Sequence, residues 1–104
     1  DLIITGGYNV YPKEVESEID ALPGVAESAV IGLPHKDFGE AVTAVVARAR
    51  GASLEEAAII KALESRLARF KQPKRVFIVD ELPRNTMGKV QKNLLRQTYA
   101  DSFA

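Results

Sequence analysis

Apolar residues along the chain fall into short runs punctuated by glycine and proline. Leu2-Ile3-Ile4-Thr5, Gly6-Gly7 and Tyr8-Asn9-Val10-Tyr11 predict two strands joined by a glycine turn. Pro12 suits the first position of a helix, and Val15, Ile19 and Leu22 form one apolar stripe ended by Pro23-Gly24. Val25 to Leu33, centred on Ala29-Val30-Ile31, and Ala41 to Ala49, rich in Val42, Val45 and Val46, have strand composition. The seven residues Pro34 to Glu40 between them permit antiparallel pairing. Ser53-Leu54-Glu55-Glu56 has the form of a capping box. It predicts a helix to about Phe70, with Ile60, Leu63, Leu67 and Phe70 on one face and Pro73 as its stop. Val76-Phe77-Ile78-Val79 lacks polar alternation and predicts a central strand. Val90 to Tyr99 is amphipathic, with Leu94 and Leu95 expected inward and Lys92 and Arg96 outward. The expected class is α+β: one small domain over 1–104, with an N-terminal β-hairpin and a three-stranded sheet flanked by helices.

Composition narrows the chemistry. With no Cys, disulfides, thiolate metal sites and a cysteine nucleophile are excluded, and the single His35 rules out a histidine metal pair. There is no apolar run of membrane-spanning length and no basic-then-apolar opening segment. Charge is uneven along the chain. Residues 1–60 hold four Lys/Arg against ten Asp/Glu, a balance of −6, and residues 61–104 hold ten against four, a balance of +6. Either the basic half meets an anionic partner, or the two halves complement each other in the fold. Nucleic acid is a poor candidate partner, because the chain is neutral overall and lacks a basic-aromatic surface pattern. The opening in a strand without Met suggests a piece of a longer polypeptide.

One segment carries candidate chemistry. Leu82-Pro83-Arg84-Asn85-Thr86-Met87-Gly88-Lys89-Val90 joins the Val76–Val79 strand to the last helix and ends in Gly-Lys. A phosphate-binding P-loop needs a further glycine and a Ser or Thr after the lysine. Pro83 and Val90 stand there instead, so that reading fails. What remains is a lysine on a mobile-looking loop, with Gly88 permitting close approach of a ligand, and the segment alone reads equally as an ordinary surface lysine after a turn.

Three motifs are similar to those of the acyl-adenylate-forming enzymes, which include acyl-CoA synthetases, peptide-synthetase adenylation domains and luciferases. Ile4-Thr5-Gly6-Gly7-Tyr8-Asn9-Val10-Tyr11-Pro12-Lys13-Glu14-Val15-Glu16 resembles the family's glycine-turn segment followed by P-x-E-V-E. Val30-Ile31-Gly32-Leu33-Pro34-His35-Lys36-Asp37-Phe38-Gly39-Glu40 resembles its G-x-P-D-x-x-x-G-E loop, with His35 in place of the usual Asp. Phe70-Lys71-Gln72-Pro73-Lys74, then Pro83 to Lys89, resembles its last motif, P-x-x-x-x-G-K. The resemblance covers nearly the whole chain and matches the C-terminal domain only. Within the family the glycine-turn segment is most like that of malonyl- and methylmalonyl-CoA synthetases, and related fatty- and aryl-acid ligases share it.

The resemblance implies a cytoplasmic enzyme in which an acid and ATP form an acyl-adenylate and CoA then displaces AMP. The C-terminal domain rotates between the two steps against a large N-terminal domain, about a hinge immediately upstream of Asp1. It makes Lys89 the adenylation lysine and a target of reversible acetylation, which brings in a protein lysine acetyltransferase and a deacetylase. It places Gly6, Gly7, Tyr8 and Asn9 along the pantetheine of CoA, although a tight turn explains the same glycines. Arg69, Lys71, Lys74 and Arg75 are candidates for the CoA phosphates, or for a solvated helix end. Mg²⁺ is expected in the full-length enzyme, with no ligands in this domain. Tyr99 and Phe103 are read as packing residues, His35 as a surface-loop residue, and Glu14 and Glu16 as solvated or helix-terminal charges. A carrier-protein-dependent adenylation domain and a non-catalytic interaction module are the alternatives.

Overall fold

The computed structural model describes residues 1–104. Its elements are β1 (Ile3–Thr5), β2 (Tyr8–Val10), α1 (Pro12–Asp20), β3 (Val25–His35), β4 (Gly39–Arg48), α2 (Glu56–Leu63), a 3₁₀ turn (Arg69–Lys71), β5 (Arg75–Val79) and α3 (Lys92–Thr98). The class is α+β, as expected, and the hairpin and the larger sheet are continuous. β4 lies at the centre. It pairs antiparallel with β3 from Val25↔Arg48 to His35↔Gly39, parallel with β5, and with β1 through Thr5↔Gly39. The connection that reads as seven residues shortens to Lys36–Phe38, because Pro34 and His35 already pair with Glu40 and Gly39.

Side chains alternate across the strands, and both faces of the sheet are covered. Val30, Val42, Val46 and Val76 join Val15, Ile19, Ile59 and Leu63 under α1 and α2. Ile31, Leu33, Val45 and Ala47 join Leu82 and Leu95 on the α3 face, where Tyr99 and Phe103 pack as expected. This double cover explains the apolar run of β5 without a central position. β5 is an edge strand, pairing with β4 alone. Val76 and Ile78 face one cluster and Val79 the other, while Phe77 stacks on Tyr99 with centroids 4.1 Å apart.

Two helices depart from the sequence reading. α2 starts at Glu56 with no side-chain cap, so the Ser53 capping box does not form. Glu56 instead accepts from the Val76 N–H at 2.8 Å and from Arg75 Nε at 2.9 Å. The helix ends at Leu63, and Phe70 belongs to the 3₁₀ turn, 37% exposed. In α3, Leu95 is buried and Leu94 is exposed. No helix is long and apolar enough to cross a membrane.

Gly32 and Glu40 show what the second motif does. Glu40 Oε1 accepts the Ile4 N–H at 2.9 Å, fastening the hairpin to the sheet. A Cβ on Gly32 would lie 2.5 Å from Glu40 Oε2, so the glycine makes room for that carboxylate. His35 ends β3, where its Nδ1 accepts the N–H groups of Asp37 and Phe38 at 3.1 and 3.3 Å. Its ring packs between Phe38 and Phe103. Histidine thus supplies the acceptor that the side chain of Asp or Asn supplies in such turns.

Candidate functional site

The lysine loop is braced by hydrogen bonds at its base and its tip. Arg84 bridges to Val90, and the Gln91 N–H donates to Pro83 O at 2.9 Å, closing its base. At the tip, Asn85 Oδ1 accepts the N–H groups of Met87 and Lys89, both at 2.9 Å. Gly88 takes φ +83°, a conformation that glycine adopts without strain. Arg84 donates to Gly88 O and forms an ion pair with Glu27 of β3, which ties the loop to the sheet. The Lys89 backbone is therefore fixed while its side chain is exposed and has no carboxylate partner. It stands in an open cleft of about 700 Å³ shared with Asp1, Asn85, Lys92 and Arg96. Met87 beside it is 90% exposed.

A second concave site forms at the glycine turn. Gly6 and Gly7 both have positive φ, +57° and +85°, as a two-residue hairpin turn of the right-handed twist requires. A Cβ on Gly6 would meet Phe38 Cδ1 at 3.3 Å, whereas the space over Gly7 is open. Next to the turn is a groove of about 160 Å³ lined by Gly6, Tyr8, Phe38, Arg69, Phe70 and Lys74, among others. Tyr8 packs on Phe70 with centroids 4.8 Å apart, and the Lys74 ammonium sits 4.1 Å from the Phe38 ring centroid.

The basic cluster read from the sequence divides here. Arg69 and Lys74 line the groove without carboxylate partners. Lys71 is held by Glu14 at 2.8 Å, and Arg75 by Glu56 at 2.9 Å. Asn9, opposite Ile4 in β2, is exposed and does not line the groove, and neither does Gly7. Glu14 is an exposed charge in the first turn of α1, as expected, whereas Glu16 is drawn inward. Glu16 accepts from the Val30 N–H and from Lys92, each at 2.8 Å, so Lys92 turns inward to a carboxylate. Gln72 was not legible in the sequence as a site residue. Its Nε2 donates to Leu63 O and Leu67 O while its buried Oε1, at the groove, has no partner. The only sequence signal for it is a polar residue held between Lys71 and Pro73.

A hairpin with an open glycine turn, a braced loop presenting a free lysine, and this sheet order invite comparison with known proteins. Residues 14–89 match the model of the AMP-binding enzyme C-terminal domain. The chain belongs to that family. Among curated relatives, this AMP-binding C-terminal domain is 50% identical over 97 residues to a methyl-dioxo-octahydroindenyl-propanoyl:CoA ligase of Rhodococcus jostii, covering 93% of this chain and 19% of the ligase. It is 46% identical over 100 residues to the long-chain-fatty-acid–CoA ligase FadD13 of Mycobacterium tuberculosis, covering 96% of the chain and 20% of that protein. The chain thus spans about a fifth of the length of these relatives. Crystal structures of MatB from Rhodopseudomonas palustris, apo and ATP-bound, superpose at TM-score 0.96 with 67% and 66% identity, covering 100% of this chain and 21% of theirs. A fatty acyl CoA synthetase of M. tuberculosis matches at TM-score 0.90 and 45% identity, over 98% of this chain and 20% of that one.

Proposed function

We propose that this domain works within a full-length AMP-forming acyl-CoA synthetase, where it presents Lys89 for adenylation and, after rotation, the glycine-turn face for thioester formation. One observation carries the reading. Of the ten cations in residues 61–104, six are ion-paired and four (Lys61, Arg69, Lys74 and Lys89) are not. Three of these four stand at the two concave sites, Lys89 alone at the motif lysine.

The chemistry needs such a cation. In adenylation a carboxylate oxygen attacks the α-phosphorus of ATP, a P–O bond forms, and pyrophosphate leaves. Two anions approach and negative charge builds on the phosphoryl oxygens. A cation between them stabilises the transition state more than the separated reactants. At about 4 Å and an effective dielectric near 20 the attraction is worth about 4 kcal/mol, roughly three powers of ten in rate. Lysine suits the place as a compact charge on a flexible stem. In the second step the CoA thiol attacks the acyl carbonyl, the C–S bond forms and AMP leaves, with its proton passing to solvent or base.

For that step the open backbone at Gly7, with Tyr8 beside it, gives an extended pantetheine chain room to lie. Arg69 and Lys74, which line the groove without carboxylate partners, are the candidates to meet the CoA phosphates. These unpaired cations favour free CoA over a carrier-bound pantetheine, which has no 3′-phosphate. Acetylation of Lys89 by a protein lysine acetyltransferase, reversed by a deacetylase, removes the charge and with it the first half-reaction. The acid, malonate or methylmalonate, and the cytoplasmic location rest on the sequence resemblance. No group of three or more His, Asp or Glu side chains is placed to hold a metal in this domain. Mg²⁺ as the companion of ATP in the full-length enzyme rests on the sequence resemblance.

The test is ATP–pyrophosphate exchange by the full-length enzyme. Lys89→Ala is expected to lower it by about three powers of ten. Exchange at the wild-type rate overturns the assignment.

A further inference from the structure

Lys92 opens α3, three positions after Lys89. Its amphipathic position predicts a solvated side chain, yet the ammonium is directed to two carboxylates, Glu16 Oε2 at 2.8 Å and Asp1 Oδ2 at 2.9 Å. No other cation of the chain has two carboxylate partners. Glu16 is itself anchored. The oxygen that meets Lys92 also accepts the Val30 N–H at 2.8 Å, and the Glu16 side chain is only 19% exposed. One ammonium therefore joins the start of α3 to α1, to β3 through Glu16, and to the residue that leads into β1. Arg96, one turn along α3, approaches the same Asp1 carboxylate at 4.0 Å.

The arrangement has two consequences for Lys89. Lys89, Lys92 and Arg96 line one cleft. Asp1 and Glu16 compensate Lys92 and Arg96, so Lys89 is the cleft's uncompensated cation. The second consequence is mechanical. The lysine loop is braced to β3 through Arg84 and Glu27 at one end. Lys92 braces the other end to the segment preceding β1. Partly exposed pairs contribute little to stability, so the value of this knot lies in geometry.

We propose that Lys92 is a positioning residue for adenylation, fixing Lys89 relative to the strand through which any rotation of the domain is transmitted. The inference rests on the proposed function. A displacement near 1 Å of a catalytic group costs on the order of a hundredfold in rate, so a looser knot matters only when Lys89 is in use.

The experiment uses the full-length enzyme with Lys92→Met, Lys92→Arg and Asp1→Asn, and with Lys89→Ala as reference. Pyrophosphate exchange and thioester formation from preformed acyl-adenylate are measured separately. Lys92→Met is expected to lower the exchange kcat about tenfold or more, with the KM for ATP and the thioester step unchanged. Lys92→Arg restores most of the exchange, and Asp1→Asn falls between. Unchanged exchange in Lys92→Met, or an equal fall in both half-reactions, overturns the proposal. If Lys92→Met does not fold, Asp1→Asn decides: lowered exchange with an intact thioester step supports the proposal, and wild-type behaviour overturns it. Lys89→Ala separates the two levels. If it leaves exchange intact, the functional reading and this inference fall together. If it abolishes exchange while Lys92→Met does not, this inference falls alone.

Discussion

Asn85 shows how one side chain shapes the lysine loop. Its carbonyl oxygen accepts two N–H groups, including that of Lys89, and its backbone N–H donates to Lys89 O at 2.9 Å. Asn85→Ala removes the side-chain acceptor and keeps the backbone bond. We expect the Met87 and Lys89 amides to exchange with solvent about tenfold faster, the equivalent of one ordinary hydrogen bond, while core amides of β4 keep their protection. Unchanged exchange at both amides would show that the turn holds without this oxygen. His35 makes a related point, because it meets an Asx-like turn with a different side chain. The sequence pattern identifies this departure, and only the Nδ1 contacts explain why it is tolerated.

Between elements, Glu56 couples α2 to β5. Burial by itself pushes this carboxyl up, but the Val76 N–H and the Arg75 guanidinium, through hydrogen bonding and charge, outweigh it and hold the group below its ordinary value. A carboxyl depressed in the folded state adds stability above its unfolded pKa and loses it as pH falls through the folded one. Glu56→Gln should therefore cost stability near neutral pH, within the about 1 kcal/mol of a solvent-screened pair, and the gap from wild type should close in acid. Urea melts across that range check this, and a gap that widens on acidification contradicts it. Gly32→Ala tests the other joint. A Cβ there displaces Glu40 and its bond to the Ile4 N–H, so we expect a loss of about 0.5–1.5 kcal/mol in the same melts. A neutral substitution would mean that Glu40 does not hold the hairpin. The hairpin, α1 and the β3–β4 pair were legible because their signals are local: glycines at the turn, proline at the helix start, valine runs. The fate of Glu56 and the edge position of β5 were not. Both depend on residues distant in sequence: Val76 lies 20 positions from Glu56, and β5 takes its place by pairing with β4, Arg75 opposite Thr43.

At the scale of the molecule, the charge asymmetry along the chain becomes pairing in space. Glu14, Glu18, Glu27 and Glu56 of the acidic half meet Lys71, Arg66, Arg84 and Arg75 of the basic half. What the pairing leaves over is informative, because Arg69, Lys74 and Lys89 stand at the concave sites. Lys89 and the glycine turn were readable from motif order. Which members of the basic cluster were free was not, because that depends on where α1 and α2 place their carboxylates. The lysine cleft and the glycine-turn groove share no lining residue, which suits one face per half-reaction. The most direct measurement assays adenylation and thioester formation separately in full-length Lys89→Ala and Gly7→Phe enzymes, with Gly7→Asn as a control that tolerates positive φ. The expected result is a crossed pattern, Lys89→Ala losing only adenylation and Gly7→Phe only thioester formation. Parallel loss of both half-reactions in either variant, with Gly7→Asn active, would contradict the assignment of one face to each step.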